Sequence, residues 1–275
     1  MAQLTLFNIR RRCDALSPVT STVFYAEGCN FRCEGCLYWE AHDTQSVFTI
    51  DVEDALKIFL DAGTNCIVLS GGNPLLQAAA FAELVRMARE KRDTGLIIYC
   101  GETQKELEEF CRRDDDVRFL VDSADTVISG RYVPSKDCGN PMVGSSNQVV
   151  DFRTPRFEGY RELYLNGPRH IEIEMDLGDR PRLSYSGVPT ASQRRVFDGL
   201  AHSIANRTDI VQNDVVDTTR LTEDDVVFSV KGDIIATLSM ADETIRIRLN
   251  PLEEETVDFL VDSIVDLMYA GDGHE

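Results

Sequence analysis

Lysine is nearly missing from this 275-residue chain: Lys57, Lys91, Lys105, Lys136 and Lys231 are all it has. Acidic residues number 47 against 28 Lys and Arg, giving a formal net charge of −19. That balance argues against bulk binding to a phosphate backbone, which needs clustered cations, so no nucleic-acid partner is expected. It reads as a solvated acidic surface that keeps the chain soluble. Long apolar runs are missing too, and none reaches the length that spans a bilayer, so no membrane partner is expected. The N-terminus, MAQLTLFNIRRRCDAL, has a basic patch but no apolar stretch ahead of a small-residue cleavage site. It does not read as a signal peptide, and the expected location is cytoplasmic. The four histidines, His42, His170, His202 and His274, make no metal-ligand pattern. No internal repeat, low-complexity tract or long linker is present.

What is present is an ordinary globular composition, 43% hydrophobic and 27% charged, on a chain long enough for one large domain or for one domain plus a smaller one. Residues 20–26 read as a strand leading into a cysteine cluster, and Asp51 to Ala62 as an amphipathic helix. Cys66 to Leu69 reads as a buried strand stopped by Gly71 and Gly72, followed by a helix from Leu75 to Lys91. Leu96 to Cys100 is a strand, Thr103 to Arg112 a helix, and Thr126 to Ile128 an apolar strand. Strands alternating with helices predict an α/β fold with a parallel sheet, whose ligands sit at the strand C-termini. After about residue 165 the pattern changes. Ile171 to Met175 alternates strictly, and Ala191 to Ile204 is helical. Val226 to Val230, Ile234 to Leu238 and Thr244 to Leu249 form a meander through turns at Lys231 to Asp233 and Ala241 to Glu243. Pro251 opens a final amphipathic helix. The expected division is residues 1–165 and an α+β extension over residues 166–275.

Of the eight cysteines, Cys29, Cys33 and Cys36 crowd into eight positions while Cys13, Cys66, Cys100, Cys111 and Cys138 are scattered. Without an export signal, such clustering points to metal or redox chemistry rather than disulfides. A C-x3-C-x2-C loop can hold three irons of a cubane and leave the fourth open, whereas a purely electron-transferring cluster usually takes four cysteines. Structural zinc sites close at four ligands, and no second CxxC pair exists here. A zinc knuckle, or a set of buried reduced thiols, stays as the alternative. Cys66 and Cys100 read as core thiols, with Cys100-Gly101 at a strand end near the expected pocket; unpaired Cys111 and Cys138 make a second cluster unexpected. Asp114 to Asp116 reads as a solvated turn, and Arg10 to Arg12 as a solvated strand end. Ser70-Gly71-Gly72-Asn73-Pro74-Leu75 follows the next strand, where glycines let backbone approach a ligand.

Together, GCNFRCEGC and SGGNPL resemble the radical S-adenosylmethionine (SAM) superfamily. The closer resemblance is to the activating-protein family of anaerobic ribonucleoside-triphosphate reductase, whose cysteine loop also ends in C-x-G-C. Gly144 to Val150 (GSSNQVV) is similar to a segment near the end of that family's domain, and Thr126 to Arg131 sits where the family has a strand ending in Asp-Gly. The resemblance covers about residues 5–155 and implies a partial (β/α)6-type radical SAM barrel. It implies that Cys29, Cys33 and Cys36 ligate one [4Fe-4S] cluster, that Gly35 and Leu37 lie near the SAM adenine, and that Gly71, Gly72 and Asn73 meet its amino end. Tyr38 and Trp39 are expected to pack rather than stack on the adenine. Two departures stand out: Asn73 replaces the family's Glu or Asp, weakening a charge-assisted contact to the SAM ammonium, and Ser129 replaces the Asp before Gly130 in the same region. The implied chemistry is reductive cleavage of SAM to a 5′-deoxyadenosyl radical for hydrogen abstraction. The implied partners are a flavodoxin- or ferredoxin-type reductant and a glycyl radical enzyme; a small-molecule or peptide substrate in a biosynthetic pathway is the second reading. A non-catalytic iron–sulfur or zinc-binding protein is the reading from another class.

Overall fold

The computed structural model describes residues 2–42, 48–176, 182–206, 217–220, 225–230, 233–241 and 244–269. It contains two compact units, Met1–Gly167 and Pro168–Glu275.

The first unit is built on a seven-stranded sheet in the order β3-β1-β2-β4-β5-β6-β7. Its strands are β1 (Gln3–Cys13), β2 (Ser21–Ala26), β3 (Phe48–Asp51), β4 (Cys66–Gly71), β5 (Gly95–Cys100), β6 (Thr126–Ser129) and β7 (Val149–Phe152). The four inner strands β2, β4, β5 and β6 run parallel, and β1, β3 and β7 add antiparallel edges. Helices α1 (Val52–Asp61), α2 (Ala78–Lys91), α3 (Gln104–Arg113) and α4 (Asp115–Ser123) fill the crossovers, and α5 (Arg161–Asn166) follows β7. Parallel strands covered on both faces read as continuous apolar runs, as CIVL and LII do here. Phe24, Ile67, Leu69, Leu96, Ile98 and Val127 pack in one cluster with Phe59, Phe81, Leu84 and Leu120 of the helices. The alternate residues Val23, Tyr25, Val68, Ile97 and Ile128 pack in a second with Leu16, Met142, Phe157 and Tyr164. The sheet is mixed α/β with a parallel core, as the strand–helix alternation indicates.

Some local expectations are corrected. The acidic run Asp114 to Asp116 is not a turn but a helix start. The Asp114 side chain accepts from the Asp116 and Val117 amides at 2.9 Å each, and Asp115 and Asp116 fill the first turn of α4, where the helix dipole favours carboxylates. Arg10 is not solvated but 2% exposed within β1. The helix expected from Leu75 begins at Ala78, because Pro74–Gln77 form a 3-10 turn capped by Asn73.

The second unit is a six-stranded antiparallel sheet in the order β10-β11-β12-β13-β8-β9, with helices α6 (Ala191–Asn206) and α7 (Val257–Tyr269). The strands are β8 (Ile171–Asp176), β9 (Arg182–Ser186), β10 (Asp217–Arg220), β11 (Asp225–Val230), β12 (Asp233–Ala241) and β13 (Thr244–Leu249). Ile171, Ile173 and Met175 are buried with Phe228, Leu238, Ile247, Leu200, Leu260 and Ile264, which gives the alternation of β8 its cause. The β11–β12–β13 meander pairs as expected. Residues 231–232 and 242–243 of its expected turns, and His274, lie outside the described residues. The last helix starts at Val257 rather than Pro251, since a 3-10 turn, Glu254–Thr256, comes first.

Candidate functional site

The cysteine loop leaves the C-terminal end of β2, the first inner parallel strand, beside the end of β4. Two backbone hydrogen bonds tie the strand ends together: the Gly72 amide donates to Ala26 O and the Asn73 amide to Gly28 O, each at 2.8 Å. Both need glycine. A Cβ on Gly71, whose φ is +90°, would lie 2.7 Å from Ala26 O, and one on Gly72 would overlap the Gly28 carbonyl. The SGG sequence after β4 is therefore what lets the cysteine loop seat against the neighbouring strand end.

Cys29, Cys33 and Cys36 are free thiols, each half-buried. Burial pushes the Cys36 thiol up, opposed by a backbone hydrogen bond at Tyr38, and charge at Cys33 and Cys29 adds to the rise. Among the described residues, no three His, Cys, Asp or Glu side chains converge as ligands of one metal ion. A closed zinc site needs such convergence. A cubane gives each thiolate its own iron, so a three-cysteine loop can hold it without the three sulfurs converging on one point.

The rest of the loop is braced by the ends of β5 and β6. The Phe31 ring lies where a Cβ on Gly101 would be, and the Arg131 guanidinium stacks 4.3 Å from that ring's centroid. Arg131 is fixed by two hydrogen bonds to Glu106, each 2.8 Å, and this pair holds the Glu106 carboxyl down at about 2. Glu106 also closes the capping box of α3 with Thr103. Gly35 packs against Pro134, 3.0 Å from where its Cβ would stand. The Gly144 to Gln148 segment is a clamp on this same stretch. Gln148 donates to Gly130 O at 2.9 Å and Asn147 to Arg131 O at 2.8 Å, while the Ser145 hydroxyl accepts from the Val133 amide at 3.1 Å.

Of the residues singled out from sequence, Gly72 and Asn73 meet the cysteine loop directly, Gly71 meets the end of β2 just before it, and Gly35 meets the segment after β6. Leu37 is half-buried next to Cys36. Ser129 is 1% exposed, its hydroxyl accepting from Gln104 at 2.7 Å, so it is engaged within the fold. Tyr38 packs on Tyr25, ring centroids 5.2 Å apart, but Trp39 is 60% exposed and does not pack as expected. Cys66 and Cys100 are buried, and burial pushes both thiols up.

Asn73 is fully buried, and its side chain is committed to three partners. Its Nδ2 donates to Asn30 Oδ1 at 2.9 Å and to Glu102 Oε1 at 2.8 Å, and its Oδ1 accepts from the Leu75 amide at 3.2 Å. Glu102, just past β5, was missed in the sequence. Desolvation raises its carboxyl above the ordinary range, opposed first by the Asn73 hydrogen bond. The signal available was a carboxylate between a strand-end Gly101 and the helix cap Thr103.

Residues 18–151 match the model of a family described as a 4Fe-4S single cluster domain. The matched span holds the three clustered cysteines, the Ser70 to Asn73 turn, Glu102 and the Gly144 to Gln148 clamp. Over this span the chain is similar to an iron–sulfur domain with one cluster. No curated protein matches the chain.

Proposed function

We propose that the chain is a radical SAM enzyme that holds one [4Fe-4S] cluster on Cys29, Cys33 and Cys36. The observation that carries this reading is the seating of a three-thiol loop against the Gly71-Gly72-Asn73 turn of the adjacent parallel strand, within the span that matches a single-cluster iron–sulfur family. In that reading the inner strands belong to a partial (β/α)6-type barrel. Held by Cys29, Cys33 and Cys36 and reduced by a flavodoxin- or ferredoxin-type partner, the cluster would supply one electron for reductive cleavage of SAM to methionine and a 5′-deoxyadenosyl radical, for hydrogen abstraction from a substrate.

The chain's own residues bind and orient. Gly71 and Gly72 let the turn after β4 close on the backbone at the end of β2 and the start of the cysteine loop, and in this reading that turn meets the amino-acid end of SAM. Gly35 and Leu37 would lie near the adenine, and Ser129, held by Gln104, would stand by the site at the end of β6. Arg131, pinned by Glu106, sets a positive charge over Phe31 of the cysteine loop, which would favour an anionic cluster there. The GSSNQ clamp supports the activase form of the reading, in which the radical is delivered to a glycyl radical enzyme. A small-molecule or peptide substrate is the biosynthetic form.

The test is anaerobic reconstitution, reduction with dithionite and addition of SAM. The expected result is 5′-deoxyadenosine and a SAM-dependent change in the reduced cluster's EPR signal. Neither product nor spectral change would sink the proposal. Cys33→Ala is expected to lose the cluster, read as iron and sulfide per chain; a full cluster in that variant would remove the ligand assignment.

A further inference from the structure

The turn after β4 presents a ligand with no charge of its own. Both Asn73 amide hydrogens are spent on Asn30 and Glu102, and its oxygen caps the turn that follows. A carboxylate is nevertheless there, one hydrogen bond away. Glu102 reaches from the end of β5 and is 4% exposed. Its Oε1 accepts from Asn73, the Cys100 thiol also donates to the carboxyl, and Oε2 is buried with no nitrogen or oxygen donor. A buried carboxylate oxygen left unmatched costs stability, and it is retained where something else satisfies it. The carboxyl shares the Asn73 amide with Asn30, the residue after Cys29, so it lies under the cysteine loop at the junction of three strand ends.

We infer that Glu102 is the anionic subsite for the ammonium group of the amino acid that binds at the cysteine loop, a role carried from β5 because position 73 is neutral. The inference rests on the SAM reading above. Asn73 is then a positioning residue: its amide fixes Oε1 and leaves Oε2 to accept from the ligand. A cation at Oε2 satisfies the orphan oxygen and offsets the desolvation of the carboxylate, so binding and charge burial support each other.

The test is SAM binding to the cluster-loaded, full-length protein, measured anaerobically by equilibrium titration rather than by turnover. Glu102→Gln keeps an oxygen for Asn73 and removes only the charge. Its dissociation constant for SAM is expected to rise roughly tenfold to a hundredfold, the range of a charge-assisted hydrogen bond, with iron and sulfide content unchanged. For the SAM analogue with a carbonyl in place of the amino group, wild type and variant are expected to bind alike. Equal SAM affinity in the two proteins would overturn the inference and leave the SAM reading standing. An equal penalty for both ligands would also overturn it, making Glu102 a brace. Absence of SAM binding to the wild type would overturn the inference together with the reading. Should Glu102→Gln lose its cluster, the exchange variant Asn73→Asp/Glu102→Gln returns the charge to β4. Recovered SAM affinity there supports the inference, and a loaded exchange variant that does not bind SAM contradicts it.

Discussion

Adding one methyl group at Gly72 should separate the cysteine loop from the rest of the sheet. A Cβ there would overlap the Gly28 carbonyl oxygen, stand 2.8 Å from the Gly28 carbonyl carbon and 3.2 Å from Ala26 O. All three are backbone atoms, so no side chain can swing away to make room. The two strand ends must part, and the hydrogen bonds from Gly72 to Ala26 and from Asn73 to Gly28, 2.8 Å each, go with them. Leaving buried backbone groups unpaired costs about 1–3 kcal/mol each, so the pair amounts to about 2–6 kcal/mol. Against a total of about 5–15 kcal/mol for a folded domain, that is a large fraction. The assay is urea unfolding of apo-protein by far-ultraviolet circular dichroism, with iron quantified after reconstitution. Gly72→Ala should shift the midpoint down and bind substoichiometric iron. Gly159→Ala is the control, since nothing lies within 4 Å of its added Cβ, and it should change little. A Gly72→Ala protein with wild-type stability and a full cluster would show that close approach of the two strand ends does not hold the loop.

The Glu106–Arg131 pair gives a pH signature. Its carboxyl is lowered from 4.5 to about 2, so the charged form stabilises the fold above pH about 4.5 and the contribution disappears as pH falls toward 2. The melting-temperature gap between wild type and Glu106→Gln should therefore be constant near neutrality and close between those values; a gap independent of pH would refute the pairing. Asp125 is a second test, in the core: its carboxylate accepts from the Leu96 amide at 2.9 Å and from Thr154 at 2.5 Å, with Arg156 at 3.4 Å. Asp125→Ala should cost on the order of 3 kcal/mol in urea unfolding, and a loss under about 0.5 kcal/mol, the range of a neutral surface change, would contradict that role.

The inner strands were legible because both their faces are buried. CIVL and LII are apolar at every position, and nothing but a covered parallel strand or a short buried helix accommodates such runs. The edges were harder. Strand β1, QLTLFNIRRRC, pairs with β2 and β3 through its backbone, and its alternation holds over Leu4 and Leu6 but is lost by Arg11 and Arg12, which stay exposed. Helix α4 was hidden for a different reason. Three consecutive aspartates look like a solvated turn until the first is seen as a cap and the others as first-turn residues, a distinction set by the backbone geometry of Asp114.

The candidate site divides the same way. The thiols and glycines announced themselves because their chemistry depends on neighbours in sequence: a three-cysteine loop is local, and a turn that must pass close to another backbone is local too. Glu102 depends on Asn73, 29 residues away, and its own surroundings, Cys-Gly-Glu-Thr, describe a strand end and a helix cap. What links them is the parallel order of β4 and β5, which puts their C-terminal ends side by side. In such a sheet a charge needed at one strand end can be supplied from the next without disturbing either strand. An asparagine that reads as a lost carboxylate in one dimension is, in three, the residue that orients the carboxylate beside it.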